Sequence, residues 1–166
     1  MSKVVMHRVD DRLIHGQVII GWVGLRNANA IWIVDDSVAK NPMMLNIFKF
    51  AAPAGIKLIA LTVDEASEKL KNLDENNDNI LLIAKVPQTM VRLMELGYMP
   101  DDVNFGAMAH KPNSVKVGSQ TELTPEEAEA AEKLYQAGAH VWILLVPHGG
   151  QKTVEWEEAR KKFGYA

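Results

Sequence analysis

The sequence predicts a three-layer α/β/α fold with a mainly parallel central sheet of about six or seven strands, in a single domain over residues 1–166. Three observations carry this expectation. Short apolar runs alternate with helix-like stretches from end to end, at the pitch of right-handed βαβ units. Several runs are apolar on both faces, as strands covered on both sides are. No Pro/Gly/Ser-rich linker, internal repeat or low-complexity tract interrupts the alternation.

The predicted strands each stop at a polar residue or a breaker. Lys3–Val9 closes at Asp10-Asp11, Ala30–Val34 at Asp35-Asp36, and Lys57–Val63 at Asp64. Asn79–Ala84 runs into Lys85, Asp102–Phe105 into Gly106, and Val141–Val146 into Pro147. Helical patterns over Gly16–Leu25, Pro42–Ala51, Asp64–Leu73 and Pro87–Leu96 follow the first four. The helix Thr124–Ala137 is marked best: Thr124 as N-cap, Pro125 at the first helical position, Glu127 closing a capping box and Gly138 beyond the end. A last amphipathic helix is predicted over Val154–Phe163, and a short extra strand around Val115–Val117. Gly21 and Gly24 read as close helix–sheet packing, and Trp32 and Trp142 as core. Trp22 and Trp156 read as half-buried, and Met43, Met44, Met90, Met94 and Met99 as core or rim.

Composition narrows the function classes. The chain is 48% hydrophobic and 23% charged, and 18 basic against 21 acidic residues leave a net charge of −3. That balance disfavours electrostatic binding to nucleic acid or to an anionic membrane surface, both of which select clustered positive charge. The absence of cysteine removes disulfides, thiolate nucleophiles and cysteine-bound zinc. The start Met1-Ser2-Lys3 lacks a signal-type apolar stretch, and no run approaches the ~20 residues of a membrane span, so a cytoplasmic protein is expected. Five histidines include no His-x-x-x-His pair, and neither Gly-x-Gly-x-x-Gly nor a P-loop occurs. No metal and no cofactor is therefore expected.

Ligands in open α/β sheets bind outside the carboxyl ends of the strands. The first such exit reads Arg8-Val9-Asp10-Asp11-Arg12-Leu13-Ile14-His15-Gly16-Gln17 and runs into a helix. A helix N-terminus offers unpaired N–H groups and positive partial charge to an anion, and arginine forks match phosphoryl oxygens. A neutral imidazole, with a usual pKa near ~6.5, carries a nucleophilic lone pair at physiological pH. His15 is thus the candidate nucleophile and Arg12 the first candidate for stabilising transferred charge, with Arg8 the second. Asp10 is expected to orient an arginine or the loop, and the N–H groups of Gly16 and Gln17 to contact phosphate, with Gly16 allowing close backbone approach. Asp36, His110 and His148 sit on neighbouring exits as rim candidates. The plainer reading pairs Arg8 and Arg12 with Asp10 and Asp11, and leaves His15 as a helix-start donor.

The segment from Arg8 to Val18, with Trp22 following, resembles the active-site segment of the enzyme IIB components of the mannose/fructose/sorbose family. That family belongs to the bacterial phosphoenolpyruvate-dependent sugar phosphotransferase system. The resemblance covers essentially the whole chain. Val34–Ala39 resembles the family's second-strand exit, with Asp35-Asp36 where Asn-Asp is commoner. Asn104-Phe105-Gly106-Ala107-Met108 resembles its Asn-x-Gly-x-Met stretch, and Val146-Pro147 the exit from its last core strand. The resemblance implies a phosphohistidine relay. His15 would accept a phosphoryl group from a IIA domain, on the δ nitrogen in the family, and pass it to a sugar of the mannose/fructose/sorbose/N-acetylgalactosamine class. Membrane IIC and IID components would deliver that sugar, holding the protein at the inner face of the membrane. Which sugar, and whether the chain forms a homo-oligomer, the sequence leaves open. The alternative is a receiver-like signalling module phosphorylated on aspartate, with Asp10-Asp11, Asp35 or Asp36, Thr62 and Lys85 as its parts; it leaves Arg8, Arg12 and His15 unexplained.

Overall fold

The computed structural model describes residues 1–166. In chain order it begins with strand β1 (Lys3–Val9), helix α1 (Gly16–Arg26), β2 (Ala30–Val34), the one-turn α2 (Asp36–Ala39), α3 (Pro42–Ala51) and β3 (Lys57–Leu61). There follow α4 (Val63–Lys71), β4 (Asn79–Ala84), α5 (Pro87–Glu95) and β5 (Asp102–Phe105). The chain ends with β6 (Val115–Gly118), β7 (Thr121–Leu123), α6 (Pro125–Gln136), β8 (His140–Ile143), β9 (Val154–Glu155), α7 (Trp156–Ala159) and a 3₁₀ turn, Arg160–Phe163.

Seven strands form one sheet in the order β3-β2-β4-β1-β5-β8-β9, parallel except for β9. β1 is its middle strand, and the chain reverses its direction of travel across the sheet there, since β4 and β5 flank β1 and are joined by α5. Such a switch point is where open α/β sheets form their ligand crevice. The pleat divides the apolar side chains between two faces. Leu82 and Ala84 of β4 face the larger core under α4, α5 and α6, whereas Leu81 and Ile83 face the smaller core under α1 and α3. The strands are buried on both sides, which is why they read as continuous apolar runs. No helix is long and apolar enough to cross a membrane.

The predicted α6 is present with its capping box: Thr124 Oγ1 accepts from the Glu127 N–H at 3.2 Å, and Glu127 Oε1 from the Thr124 N–H at 2.9 Å. Other elements differ from expectation for identifiable reasons. The strand expected over Lys57–Val63 ends at Leu61 because Thr62 forms a second capping box with Glu65 and starts α4. Asp35 accepts from the Val38 N–H at 3.0 Å and caps α2, a helix the sequence reading did not contain. The strand expected over Val141–Val146 ends at Ile143. The helix expected over Val154–Phe163 loses its first two residues to β9, which pairs antiparallel with Trp142 and Ile143. Gly21 does permit close packing, since a Cβ there would lie 3.2 Å from Pro147 Cδ; Gly24 has no such neighbour. Trp22 and Trp156 are fully buried rather than half-buried, Trp32 is half-buried, and Met43 stands in solvent while Met90 is core.

The C-terminal turn is held by one carboxylate. Glu132 of α6 accepts from Trp156 Nε1 and Arg160 Nε, each at 2.9 Å, and its other oxygen pairs with Arg160 Nη2. These bonds, that from Arg160 above all, hold the Glu132 carboxyl down at about 2 against an ordinary 4.5. A depressed carboxylate stabilises the fold above its ordinary value and loses that contribution as pH falls. Acid unfolding is therefore expected to show a stability loss between pH 4.5 and about 2 that is absent from Glu132→Ala. Urea titration at neutral pH is expected to find a lower unfolding midpoint for Glu132→Ala, because Arg160 and the Trp156 Nε1–H lose their shared acceptor.

Candidate functional site

The site is organised around a buried arginine. Parallel register places Arg8 of β1 beside Asn104 of β5, each one residue before the end of its strand. Arg8 is fully buried beneath the exits of β1, β5 and β8. Its Nη1 donates to Asn104 Oδ1 and, at 3.3 Å, to the Leu144 carbonyl. Its Nη2 donates to Asp10 Oδ2 and to the Leu145 carbonyl, both at 2.9 Å. The guanidinium carbon stands 5.4 Å from the Trp22 ring centroid, and Trp22 Nε1 donates to the same Leu145 carbonyl at 2.9 Å. Burial pulls the Arg8 guanidinium down to about 10, with Asp10 opposing, so it stays charged at neutral pH. These bonds also explain why β8 stops at Ile143: the next two carbonyls turn away from the ladder to accept from Arg8.

Arg8 thus has no surface to offer a ligand, and both terminal nitrogens are committed to the protein. This corrects its assignment to contact with a phosphoryl group; Arg8 is a positioning residue. What it positions is Asp10, equally buried. Asp10 Oδ2 also accepts from the Ala107 N–H at 3.2 Å, and Asp10 Oδ1 from the Arg12 N–H at 3.0 Å. The exits of β1 and β5 are closed together by two further bonds, Asp11 N–H to the Ala107 carbonyl at 2.9 Å and Ala109 N–H to Asp11 Oδ2 at 2.6 Å. Within the β1 exit, Leu13 and Ile14 are buried in the smaller core, while Arg12 is partly exposed and His15 exposed. Leu13 takes a left-handed φ of 56°, a conformation a side chain of its size rarely adopts. The loop is thus turned by its apolar anchors so that the two polar residues face outward.

His15 is the N-cap residue of α1, yet no side chain caps that helix and its first turn holds no acidic residue. The His15 carbonyl accepts from Val18 and Ile19, while the Gly16 and Gln17 N–H groups have no acceptor. An uncapped helix start presents these donors and the positive end of the helix dipole to any anion at its tip. Gly16 has φ +41°, open to glycine, with no atom near its absent Cβ. Arg12 leaves its Nε 3.7 Å from Asp10 Oδ1; Nε and Nη2 are buried without a hydrogen-bond partner, while the side chain as a whole stays partly exposed. The guanidinium is therefore oriented by Asp10 but not spent on it.

The rim candidates divide. His110 lines a cleft of about 300 Å³ with Asp11, Arg12, Met108 and Glu122. Its Nδ1 lies 2.9 Å from Glu122 Oε1, and this contact draws the Glu122 carboxyl below its ordinary value. His148 lines a separate groove of about 510 Å³ with Gln17, Gly21 and Pro147, on the α1 side. Asp36 is not part of the site. It accepts from the Val63 N–H at 2.9 Å and from Arg92 Nη1 at 3.3 Å, two strands from β1, and the Val63 bond chiefly holds its carboxyl low. His7 is buried between the Asp102 carbonyl and the Tyr98 hydroxyl, and burial lowers its basicity. The sequence reading missed the Arg8–Asn104 pair and the role of Gly106, although the equal offset of Arg8 and Asn104 from their strand ends carried the signal.

Gly106 supplies a direct test of this arrangement. A Cβ there would fall 2.1 Å from Arg8 Nη2 and 2.6 Å from Asp10 Oδ2, and both groups are locked in place. Gly106→Ala is expected to lower the urea unfolding midpoint by an amount equivalent to about 3 kcal/mol, whereas Gly24→Ala, with open space around it, raises or leaves unchanged the stability of α1.

The chain matches the family model described as the PTS system sorbose subfamily IIB component over residues 4–163. It is 30% identical to the sorbose-specific EIIB component of the phosphotransferase system of Lacticaseibacillus casei, over 86% of this chain and 87% of that one. It is also 30% identical to the mannose-specific EIIAB component of Escherichia coli K12, over 84% of this chain and 43% of that longer one. Among solved structures, that of manxB from Thermoanaerobacter tengcongensis superposes with a TM-score of 0.89 at 28% identity, covering 98% of this chain and 97% of the other. The family match takes in every strand of the central sheet along with the Arg8–His15 exit, and the chain belongs to the sorbose subfamily of phosphotransferase system IIB components.

Proposed function

We propose that His15 carries the phosphoryl group in sugar phosphotransfer, accepting it from a phosphohistidine of a IIA domain and giving it to a sugar delivered by membrane IIC and IID components. One observation carries this reading: an exposed imidazole at an uncapped helix start, three residues after a partly exposed arginine whose guanidinium no protein acceptor saturates. In the first step a ring nitrogen of His15 attacks phosphorus, forming one P–N bond as the donor's P–N bond breaks. In the second a sugar hydroxyl oxygen forms the new P–O bond, the His15 P–N bond breaks, and the hydroxyl proton passes to the departing imidazole, restoring neutral His15. Both transition states spread negative charge over the three equatorial oxygens, so positioned donors lower the barrier more than any covalent chemistry does. Arg12 and the N–H groups of Gly16 and Gln17 are the donors at hand. Asp10 fixes Arg12 while its own charge is neutralised by buried Arg8.

The EIIAB name of the Escherichia coli mannose relative supports a IIA partner, because it joins IIA and IIB in one chain. The sugar belongs, in this reading, to the mannose/fructose/sorbose/N-acetylgalactosamine class; the names of the two relatives already differ within it. The receiver-like alternative gains nothing from the geometry. Asp10 is buried with both oxygens accepting, Asp35 caps α2, and Asp36 is held by Val63 and Arg92.

Phosphorylation from a IIA donor tests the reading. The phosphoprotein is expected to be acid-labile and resistant to hydroxylamine, and to disappear in His15→Ala; undiminished uptake by His15→Ala would remove His15 as acceptor. Arg12→Ala is expected to keep the fold by circular dichroism and to slow transfer by about 10²–10³-fold in rapid-quench kinetics. An unchanged rate would take Arg12 out of the mechanism.

A further inference from the structure

α3 has the composition of a buried helix and the surroundings of an exposed one. Only Asn46 and Lys49 among its ten residues are polar, yet none of the ten is buried. A helix apolar all round is ordinarily covered all round. Leu45 and Phe48 lean on the smaller core. The opposite stripe, Met43, Ile47 and Phe50 at i, i+4 and i+7, is 75%, 61% and 92% exposed. α1, in the same layer, adds Ile20 and Leu25 to the exposed apolar side chains. The helices of the other layer differ: α4 and α6 carry their solvent faces on Asp, Glu and Lys.

Two features say what covers the stripe. The first is charge. Neither α1 nor α3 contains an acidic residue, and of the two aspartates at the α2 turn before α3, Asp35 caps that turn and Asp36 is paired with Arg92. Exposed Lys40 precedes α3 and exposed Lys49 flanks its stripe, so the charge on this face is locally opposite to the chain's net −3. Apolar side chains flanked by lysines, whose stems can lie along the interface with the ammonium in the headgroups, complement an anionic lipid surface. The second is area. Ten residues make a helix about 15 Å long and 10 Å wide, a footprint far below the ~800 Å² per partner of a stable protein interface. Insertion into lipid has no minimum matching area.

We infer that α3 rests on an anionic bilayer surface, with Met43, Ile47 and Phe50 entering the headgroup–acyl boundary and Lys40 and Lys49 facing the lipid phosphates. Three side chains and two charges give weak, reversible attachment, comparable to that of one acyl chain. α3 begins at Pro42, after its N-cap Asn41 and beyond the carboxyl end of β2, so its leading end and His15 share one edge of the sheet. The attachment goes beyond the phosphoryl-carrier reading and does not depend on it.

Co-sedimentation of the full chain with phosphatidylcholine vesicles, with and without added phosphatidylglycerol, tests the inference. The chain is expected to partition onto the anionic vesicles at least about fivefold more than onto the neutral ones, the increment due to a single lysine. The double substitution Ile47→Ser/Phe50→Ser is expected to abolish binding, and Lys49→Glu to abolish the preference for phosphatidylglycerol. Phosphate uptake on His15 remains in all of these variants and shows that they are folded. Absence of vesicle binding by the unaltered chain, binding that survives Ile47→Ser/Phe50→Ser, or a dimer in sedimentation velocity that this double substitution dissolves would each overturn the proposal.

Discussion

A guanidinium without any exposed surface, at the end of the middle strand, is the constraint on which the functional end of this molecule depends. Transferring an arginine into a protein interior is costly unless its donors are met, and Arg8 meets those of its two terminal nitrogens with one carboxylate, one side-chain amide and two backbone carbonyls, leaving only Nε without a partner. Each acceptor comes from a strand exit. Asn104 lies at the end of β5, Leu144 and Leu145 follow β8, and Asp10 follows β1. Satisfying Arg8 therefore fixes three exits against one another. Gly106 must lack a side chain for this to happen, because the guanidinium occupies the space its Cβ would fill.

From that anchor the site follows by short steps. Arg8 neutralises Asp10, Asp10 holds the Arg12 backbone, and the apolar anchors Leu13 and Ile14 turn the loop so that His15 reaches solvent at the start of α1. The arrangement separates two uses of arginine. One is buried and structural, with both terminal nitrogens bonded to the protein; the other is partly exposed and is not saturated by any protein acceptor. Placing the buried one behind the carboxylate matters electrostatically, since in the proposed transfer an unneutralised Asp10 would repel the phosphoryl group. The uncapped helix start supplies positive potential without any side chain that would compete for the anion.

Much of this was legible in the sequence, and the limits have physical causes. The alternation of runs gave the layers and the strands of the sheet, and the Thr124–Glu127 pair marked α6, because capping is local chemistry. The divided roles of Arg8 and Arg12 were not legible, since both arginines flank the same aspartates and only the register of β1 with β5 and the path beyond β8 consume one of them. β9 escaped detection for a similar reason: Val154-Glu155 fits the helical pattern that follows, and only the open edge of β8 draws it into the sheet. Asp36 looked like a rim group because it follows a strand. Its bonds to Val63 and Arg92 depend on neighbours 27 and 56 positions away. The exposure of Met43, Ile47 and Phe50 inverts what their composition suggests, as expected of a surface that is completed outside the chain.

The most direct measurement of the central claim is phosphorus–nitrogen correlation NMR on the phosphorylated, nitrogen-15-labelled chain. The account predicts a single phosphoramidate resonance coupled to a ring nitrogen of His15, with the Gly16 and Gln17 amide protons shifted downfield as they donate to the phosphoryl oxygens. Phosphorus coupled to any other side chain, or Gly16 and Gln17 amides unmoved on phosphorylation, would contradict it.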